Sequence, residues 1–379
     1  MKNIKFNGAK VLLLCSTDNM IWQFLLPHIK DLQSYGAEVC CVCTKTGFWF
    51  DELKNKHNLN VIDLPMTRSP LSLKNLKAYL KLKKLQKQNN FNLIYCQQAV
   101  GGMLGRFIGK KFKLPVIYTA HGYFFFKGNN PIKNFVFKTA EKIMSRWTDI
   151  LITMNDEDFN ASKNFKCSKC YKINGIGLDL QKYNNEEFNK TEFKQSLGLE
   201  GNDKVILSVA EFIKRKNHKT MLKSFAELTK TVNDVKFVLC GTGKLQQKMQ
   251  NLAKKLNIEN KTIFLGYRKD VNKIMQVSDV FYHQSSHEGL TMSIMEAMYF
   301  GLPIVASNVR GNADLVNVKG GILTSTLNFE EQVKALTKIL TEKETALNMS
   351  EFNKQESKQY LLENIKEQLK QIYKENHLI

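Results

Sequence analysis

His287-Glu288-Gly289-Leu290-Thr291-Met292-Ser293-Ile294-Met295-Glu296-Ala297-Met298, followed by Gly301-Leu302-Pro303-Ile304-Val305-Ala306, is the stretch that decides the fold. It reads as the end of a strand, a tight glycine turn, a helix and a second strand. Asp279-Val280-Phe281-Tyr282-His283 supplies the β-rich run before it, and Gly289 is expected to take the backbone angles of a sharp turn. Thr291 is placed to cap the helix, Gly301 to end it and Pro303 to keep it from resuming. The two carboxylates are therefore placed differently: Glu288 lies in the turn at the carboxyl end of a strand, and Glu296 lies within the helix. In open α/β sheets ligands bind outside that end of the strands, where a helix N-terminus favours an anion.

The chain around this stretch has 379 residues, too many for one ordinary core, and reads as two domains of comparable size. Strand-like runs alternate with helical ones. The first half has strands near 11–15, 38–44, 60–64, 92–96, 116–119 and 149–153, with a helical stretch at 20–35 closed by Gly36. The rhythm restarts at 204–209, 236–240, 262–265, 280–283 and 303–307. Such βαβα alternation implies parallel sheets with helices on both faces, hence an α/β chain of two tandem, doubly wound, Rossmann-like domains. The connector is expected at Gly175-Ile176-Gly177-Leu178-Asp179, continuing through the polar run 184–194, so the domains span 1–178 and 179–379. The final helix is a candidate to pack back on the first domain.

No run of eighteen apolar residues exists, so no segment reads as a membrane span. The apolar run 11–15 is too short for a signal peptide and reads as a buried first strand, which places the protein in the cytoplasm. Of eight cysteines, six sit in apolar, strand-like runs, and Cys167 and Cys170 form a lone C-x2-C without two further zinc ligands nearby. The formal charge of +21 is uneven: residues 1–150 hold 23 Lys and Arg against 8 Asp and Glu. A basic half points to nucleic acid or to an anionic membrane surface, and no zinc finger, helix-turn-helix or RNA-recognition signature supports the first.

Two glutamates separated by seven residues in a strand–turn–helix context resemble the E-x7-E motif of retaining glycosyltransferases, in particular glycosyltransferase family 4. The resemblance extends over Ser286 to Ala306, with Gly289, Ala297 and Gly301 in the family's places. It continues in Asn174-Gly175-Ile176-Gly177-Leu178-Asp179, similar to the family's interdomain segment, and in Ile206-Leu207-Ser208-Val209-Ala210-Glu211 followed by Lys214-Arg215-Lys216-Asn217-His218. In the first half, Ala99-Val100-Gly101-Gly102, Arg106 and Tyr118-Thr119-Ala120-His121-Gly122-Tyr123 resemble members that build bacterial surface polysaccharides. The resemblance implies the GT-B fold, two Rossmann-like domains facing a cleft.

Cleaving a sugar nucleotide at its anomeric carbon puts negative charge on the leaving phosphate, so catalysis needs cations and N–H donors there. By resemblance, Lys216 binds the phosphate, Arg215 assists, and the N–H groups of Leu290, Thr291 and Met292 complete the site. Glu288 would hold hydroxyls of the donor sugar and Glu296 the two ribose hydroxyls, because one carboxylate can accept from two adjacent hydroxyls. Gly241 and Gly243 are expected to let the backbone approach the ligand, and Tyr267 and Arg268 to hold the base. His121 matches the family's active-site histidine, and Thr17, Gly101 and Gly102 fall on the acceptor side. Glu211 departs from the family pattern, in which many members carry a diphosphate-binding arginine there; it is expected to face the acceptor or to pair with a neighbouring lysine. Nothing resembles a D-x-D metal motif for a donor diphosphate, so no metal is expected.

Tyr123-Phe124-Phe125-Phe126-Lys127 and the segment 133–138 interleave aromatics with lysines. With Phe107, Lys110, Lys111 and Lys113 they suggest a face that dips into a membrane surface through Phe124, Phe125 and Phe126. The basic segment 74–87 adds to it or is a solvated helix. The leading reading is a retaining transferase that moves a hexosyl or N-acetylhexosaminyl group from a nucleoside-diphosphate donor, a UDP-sugar, to a lipid-linked (polyprenyl diphosphate) saccharide. It would work on the inner face of the cell membrane, without nucleic acid. The competing readings are a sugar-nucleotide epimerase of similar shape and a non-enzymatic nucleic-acid-binding protein.

Overall fold

The computed structural model describes residues 5–67, 69–70, 72–183 and 187–379. Contacts divide the chain into two units: one runs to Gly177 and takes in Glu363–Ile379, the other is Leu178–Leu362.

The first unit is built on a seven-stranded sheet: β1 (Lys10–Thr17), β2 (Glu38–Thr44), β3 (Asn60–Asp63), β4 (Leu93–Gln97), β5 (Val116–Thr119), β6 (Ile150–Thr153) and β7 (Lys169–Lys172). All pairs are parallel, in the order β3-β2-β1-β4-β5-β6-β7. The central strands are near-continuous apolar runs because helices cover both faces: every residue of β4, β5 and β6 is buried. The helix Ala99–Phe112 lies close on this sheet through a row of glycines. A Cβ at Gly101 would meet Leu14 O at 3.0 Å, and one at Gly102 would fall 2.3 Å from the Tyr118 ring. Gly101 and Gly102 thus serve helix–sheet packing. Arg106, on the same helix, is fully buried and forms a two-pronged pair with Glu141 (2.7 and 3.1 Å), its guanidinium 4.2 Å from the Tyr118 ring centre. The helix Leu362–Glu375 packs in this unit: the hydroxyls of Tyr95 and Tyr373 are 3.2 Å apart, Lys366 pairs with Asp31 at 2.9 Å, and Asn174 N donates to Gln368.

The second unit has a six-stranded parallel sheet of β8 (Lys204–Val209), β9 (Val235–Cys240), β10 (Thr262–Gly266), β11 (Val280–His283), β12 (Ile304–Ser307) and β13 (Gly321–Thr324). Its order is β10-β9-β8-β11-β12-β13, so the strand order reverses between β8 and β11. The first sheet reverses in the same way between β1 and β4. Both sheets therefore open a crevice at the carboxyl ends of those strand pairs. Of the expected connector, residues 184–186 lie outside the described residues, and Lys190–Ser196 is a short helix capped by Asn189.

Two edge strands, β7 and β13, fall outside the sequence expectation. Among the described residues no helix is long and apolar enough to cross a membrane. The aromatic–basic segment divides differently from its expected reading. Phe124 is 41% exposed, whereas Phe125 is buried, stacked on Tyr123 at 4.8 Å in the core, and Phe126 is half-buried. A turn backbone sends successive side chains to different sides, so one ring of the three reaches the surface. Most of the exposed large apolar residues of this unit lie instead on two helices, with Leu73, Leu76 and Leu80 at or in Lys74–Asn89 and Ile132, Phe135, Val136 and Ile143 in Pro131–Met144.

Candidate active site

In the second unit the loops after β8 and β11 meet at the crevice, joined by a hydrogen bond from Ser286 N to Arg215 O (2.8 Å). Their side chains converge on Glu288, which is buried at 6% exposure. Lys216 Nζ donates to one carboxylate oxygen at 2.5 Å, Arg215 Nη1 donates to the other, and His283 Nε2 lies 3.2 Å from the first. Arg215 also donates to His287 O (3.1 Å), and Arg310 Nε donates to Glu288 O (2.9 Å), which fixes the backbone of the turn.

Burial alone would raise the pKa of Glu288. The His283 hydrogen bond and the charges of Lys216 and Arg215 outweigh it and hold the carboxyl well below its usual range. His283 is pushed down to about 4, first by burial and then by Lys216, so the ring is neutral at pH 7 and Nε2–H can donate to the carboxylate. Its Nε2 is also 2.9 Å from Ser285 Oγ. Lys216 is lowered by its own burial, against the pull of Glu288. The result is an ionised carboxylate clamped by two cations and a neutral imidazole.

The helix Met292–Tyr299 starts at Thr291, but the Thr291 hydroxyl does not cap it. It donates to Asn312 Oδ1 at 2.7 Å, so the first turn has no side-chain cap. Gly289 does not take a positive φ. The glycine conformation is used instead at Gly311 (φ 80°), where a Cβ would fall 2.2 Å from Gly289 O. Glu296, one helical turn and more beyond, accepts from Tyr183 Oη at 2.9 Å. Tyr183 stacks on Tyr299 and meets Phe300 edge-on. Burial raises the Glu296 carboxyl to about 7, with the Tyr183 hydrogen bond and Lys182 pulling the other way.

The remaining residues divide. Gly241 and Gly243 have positive φ, and their missing Cβ atoms leave room for the chain's own backbone: Ala210 O would be 2.1 Å from one and Phe212 N 2.7 Å from the other. They hold the loop after β9 against the loop after β8. Tyr267 is 62% exposed, and Arg268 is engaged in a two-pronged pair with Asp270 (2.8 and 2.6 Å). Glu211 is exposed at the carboxyl end of β8 and forms no ion pair among the described residues, although its charge acts on Lys216.

In the first unit, His121 follows β5 and lies 2.7 Å, through Nε2, from Gln97 Oε1 at the end of β4. Burial, helped by His28, lowers its pKa to about 4, so the neutral ring donates from Nε2 and keeps Nδ1 as an acceptor. Thr17 ends β1 beside the crevice of that sheet. His283, Arg310, Tyr183 and Gln97 contact the candidate residues and are positions that sequence reasoning did not single out. Among the described residues no group of three or more His, Cys, Asp or Glu is placed to hold a metal.

Comparison with known proteins gives this fold and site a family. Residues 189–356 match the family model described as glycosyl transferases group 1, and residues 10–155 match glycosyl transferase 4-like. The chain is 29% identical over 331 residues to the UDP-Gal:alpha-D-GlcNAc-diphosphoundecaprenol alpha-1,3-galactosyltransferase of Escherichia coli, covering 84% of each chain. It is 25% identical over 357 residues to the N,N'-diacetylbacillosaminyl-diphospho-undecaprenol alpha-1,3-N-acetylgalactosaminyltransferase of Campylobacter jejuni subsp. jejuni serotype O:2, covering 90% of this chain and 92% of that one. Among solved structures, HepE of Anabaena in complex with UDP and glucose has the same fold, with a TM-score of 0.77 at 20% identity over 97% of this chain and all of that one. The chain belongs to the glycosyltransferases of GT-B fold. It is a glycosyltransferase and not an epimerase.

Proposed function

We propose that this glycosyltransferase transfers a hexosyl or N-acetylhexosaminyl group from a UDP-sugar to a polyprenyl-diphosphate-linked saccharide, with retention of anomeric configuration and without a metal ion. The observation that carries this reading is the Glu288 cluster. An incoming diphosphate competes for Lys216 and Arg215. As those cations turn to the phosphates, the Glu288 carboxylate is released to accept from hydroxyls of the donor sugar. The uncapped start of the Met292–Tyr299 helix receives the same diphosphate, and Glu296 exchanges Tyr183 for ribose hydroxyls. Two cations and a helix N-terminus stabilise the charge that grows on the leaving phosphate, which is the work a divalent ion would otherwise do. A leaving phosphate oxygen takes the acceptor's proton on the same face, through an oxocarbenium-like transition state. His121, with Nδ1 as acceptor, is the first unit's candidate to hold a hydroxyl of the acceptor or the transferred sugar.

The acceptor class rests on the two relatives named for diphospho-undecaprenol substrates and on the exposed apolar faces of the first unit. Leucines on one helix and Ile132, Phe135, Val136 and Ile143 on another, each interleaved with lysines, suit a peripheral contact with an anionic bilayer. Lys110, Lys111 and Lys113 are exposed and add to its charge, and Phe124 adds an aromatic. This membrane face corresponds to the cytoplasmic leaflet.

Calorimetric titration with a panel of sugar nucleotides tests the donor site. A UDP-sugar is expected to bind best, with a pH dependence set by Glu296. Ribose hydroxyls favour the ionised carboxylate, which predominates above about pH 7. Affinity for UDP-glucose, whose diphosphate does not titrate in this range, should therefore rise between pH 6 and pH 8, by at most about tenfold per unit below the pKa. Glu296→Gln should weaken binding and flatten the profile. A pH-independent affinity, or preference for another nucleotide, would contradict the assignment.

A further inference from the structure

His283 ends β11, a central strand of the second sheet, and is fully buried. Its backbone pairs with Ala306 of β12, and its ring lies nearly parallel to that of Phe281 on the same face of the strand. Nε2 is 3.2 Å from Oε1 of Glu288, the oxygen that Lys216 holds at 2.5 Å, and 3.5 Å from the Lys216 ammonium itself. Nδ1 has no hydrogen-bond partner among the described residues. A buried N–H there would be left unpaired, so the neutral ring carries its proton on Nε2. The imidazole and the ammonium are then two donors aimed at one carboxylate oxygen, with the Ser285 hydroxyl beside them, 2.9 Å from Nε2.

These donors differ in how they are carried. Lys216 and Arg215 reach Glu288 on long side chains from the loop after β8, and the Arg215 side chain is 32% exposed. His283 is fixed on a strand paired on both sides. A buried carboxylate that lost both cations at once would be left charged and without a partner, a cost that would hold the cations where they are. We propose that His283 is a positioning residue of the donor site: its Nε2–H keeps Oε1 of Glu288 when the diphosphate draws Lys216 and Arg215 away, so that Oε2, freed by Arg215, is the oxygen offered to the donor sugar. This rests on the reading of Glu288 as the group that the incoming diphosphate releases. His283 acts through Glu288 and makes the exchange less costly, without touching the nucleotide.

The test is a double-mutant cycle read by calorimetric titration of the full chain with UDP, which brings a diphosphate but no sugar hydroxyls. His283→Leu is expected to bind UDP about tenfold more weakly, in the range of a lost hydrogen bond to a charged group. His283→Gln, whose amide can place an N–H near the position of Nε2, should recover most of that affinity. In a Glu288→Gln background the leucine substitution should change UDP affinity by less than about twofold, because the neutral amide leaves no buried charge to satisfy. His283→Asn, too short to reach Glu288, takes the place of the leucine variant if thermal melting shows the latter unfolded. Unchanged UDP affinity in His283→Leu would overturn the inference. So would an equal loss in the Glu288→Gln background, or a glutamine variant no better than leucine, either of which a purely structural residue would give. UDP-glucose separates this inference from the reading beneath it. Its hydroxyls take up the released carboxylate, so His283→Leu should weaken it less than it weakens UDP. If the cycle holds and UDP-glucose loses as much as UDP, His283 keeps its role and Glu288 loses its contact with the sugar.

Discussion

Glu288→Gln is expected to reduce sugar transfer by about 10²–10³-fold while the fold and UDP binding survive. The carboxylate is the group on which Lys216, Arg215 and His283 converge, and its replacement removes the charged acceptor proposed for the donor's hydroxyls. A purely structural residue would behave differently in one respect. In the variant both cations lack their counter-ion, which costs stability, on the order of 3 kcal/mol for a buried pair broken on one side. UDP supplies the missing negative charge, so it should bind at least as tightly as to wild type and restore much of the lost melting temperature. Wild-type turnover in Glu288→Gln, or loss of UDP binding together with activity, would rule out the role.

Lys216→Ala should lower turnover by a comparable amount, since a cation aimed at developing phosphate charge contributes roughly 2–4 kcal/mol in the transition state. Its ammonium is largely buried and 2.5 Å from Glu288, so the protein has already desolvated it in place. Here UDP affinity should fall with turnover, opposite to the Glu288 variant. Magnesium or manganese should not rescue it, because Glu288 and Glu211 are the nearby carboxylates and the first is held by Arg215. Recovery of activity with either ion would contradict the proposed metal-free site.

Most of the architecture was legible in the sequence because parallel strands buried on both faces must be apolar runs. β7 and β13 were not legible for the same reason. Lys169-Cys170-Tyr171-Lys172 is an edge strand with exposed ends, and Gly321-Ile322-Leu323-Thr324 is an edge strand that begins on the second of two adjacent glycines. The spacing of Glu288 and Glu296 and the position of Lys216 were visible as pattern. Their partners were not: Tyr183 reaches Glu296 across 113 residues, and Arg310 reaches the Glu288 carbonyl from the loop after β12. Gly241 and Gly243 read as letting the backbone approach a ligand, and Gly101 and Gly102 as acceptor-side; what the sequence could not show is that a Cβ at each would meet the chain's own backbone or Tyr118. Phe125 read as surface because lysines flank its run, whereas it is buried in the core against Tyr123 and Phe165.

The central claim, metal-free retaining transfer from a UDP-sugar to a lipid-linked diphosphate saccharide, is tested most directly by the anomeric configuration of the product. The enzyme would be incubated with its tightest-binding sugar nucleotide and a polyprenyl-diphosphate saccharide in the presence of chelator, and the purified product examined by proton NMR. The account predicts UDP released in step with a single product, whose new linkage has the α configuration of an α-linked UDP-sugar donor. A β-linked product, or a reaction that stops when divalent ions are removed, would contradict it.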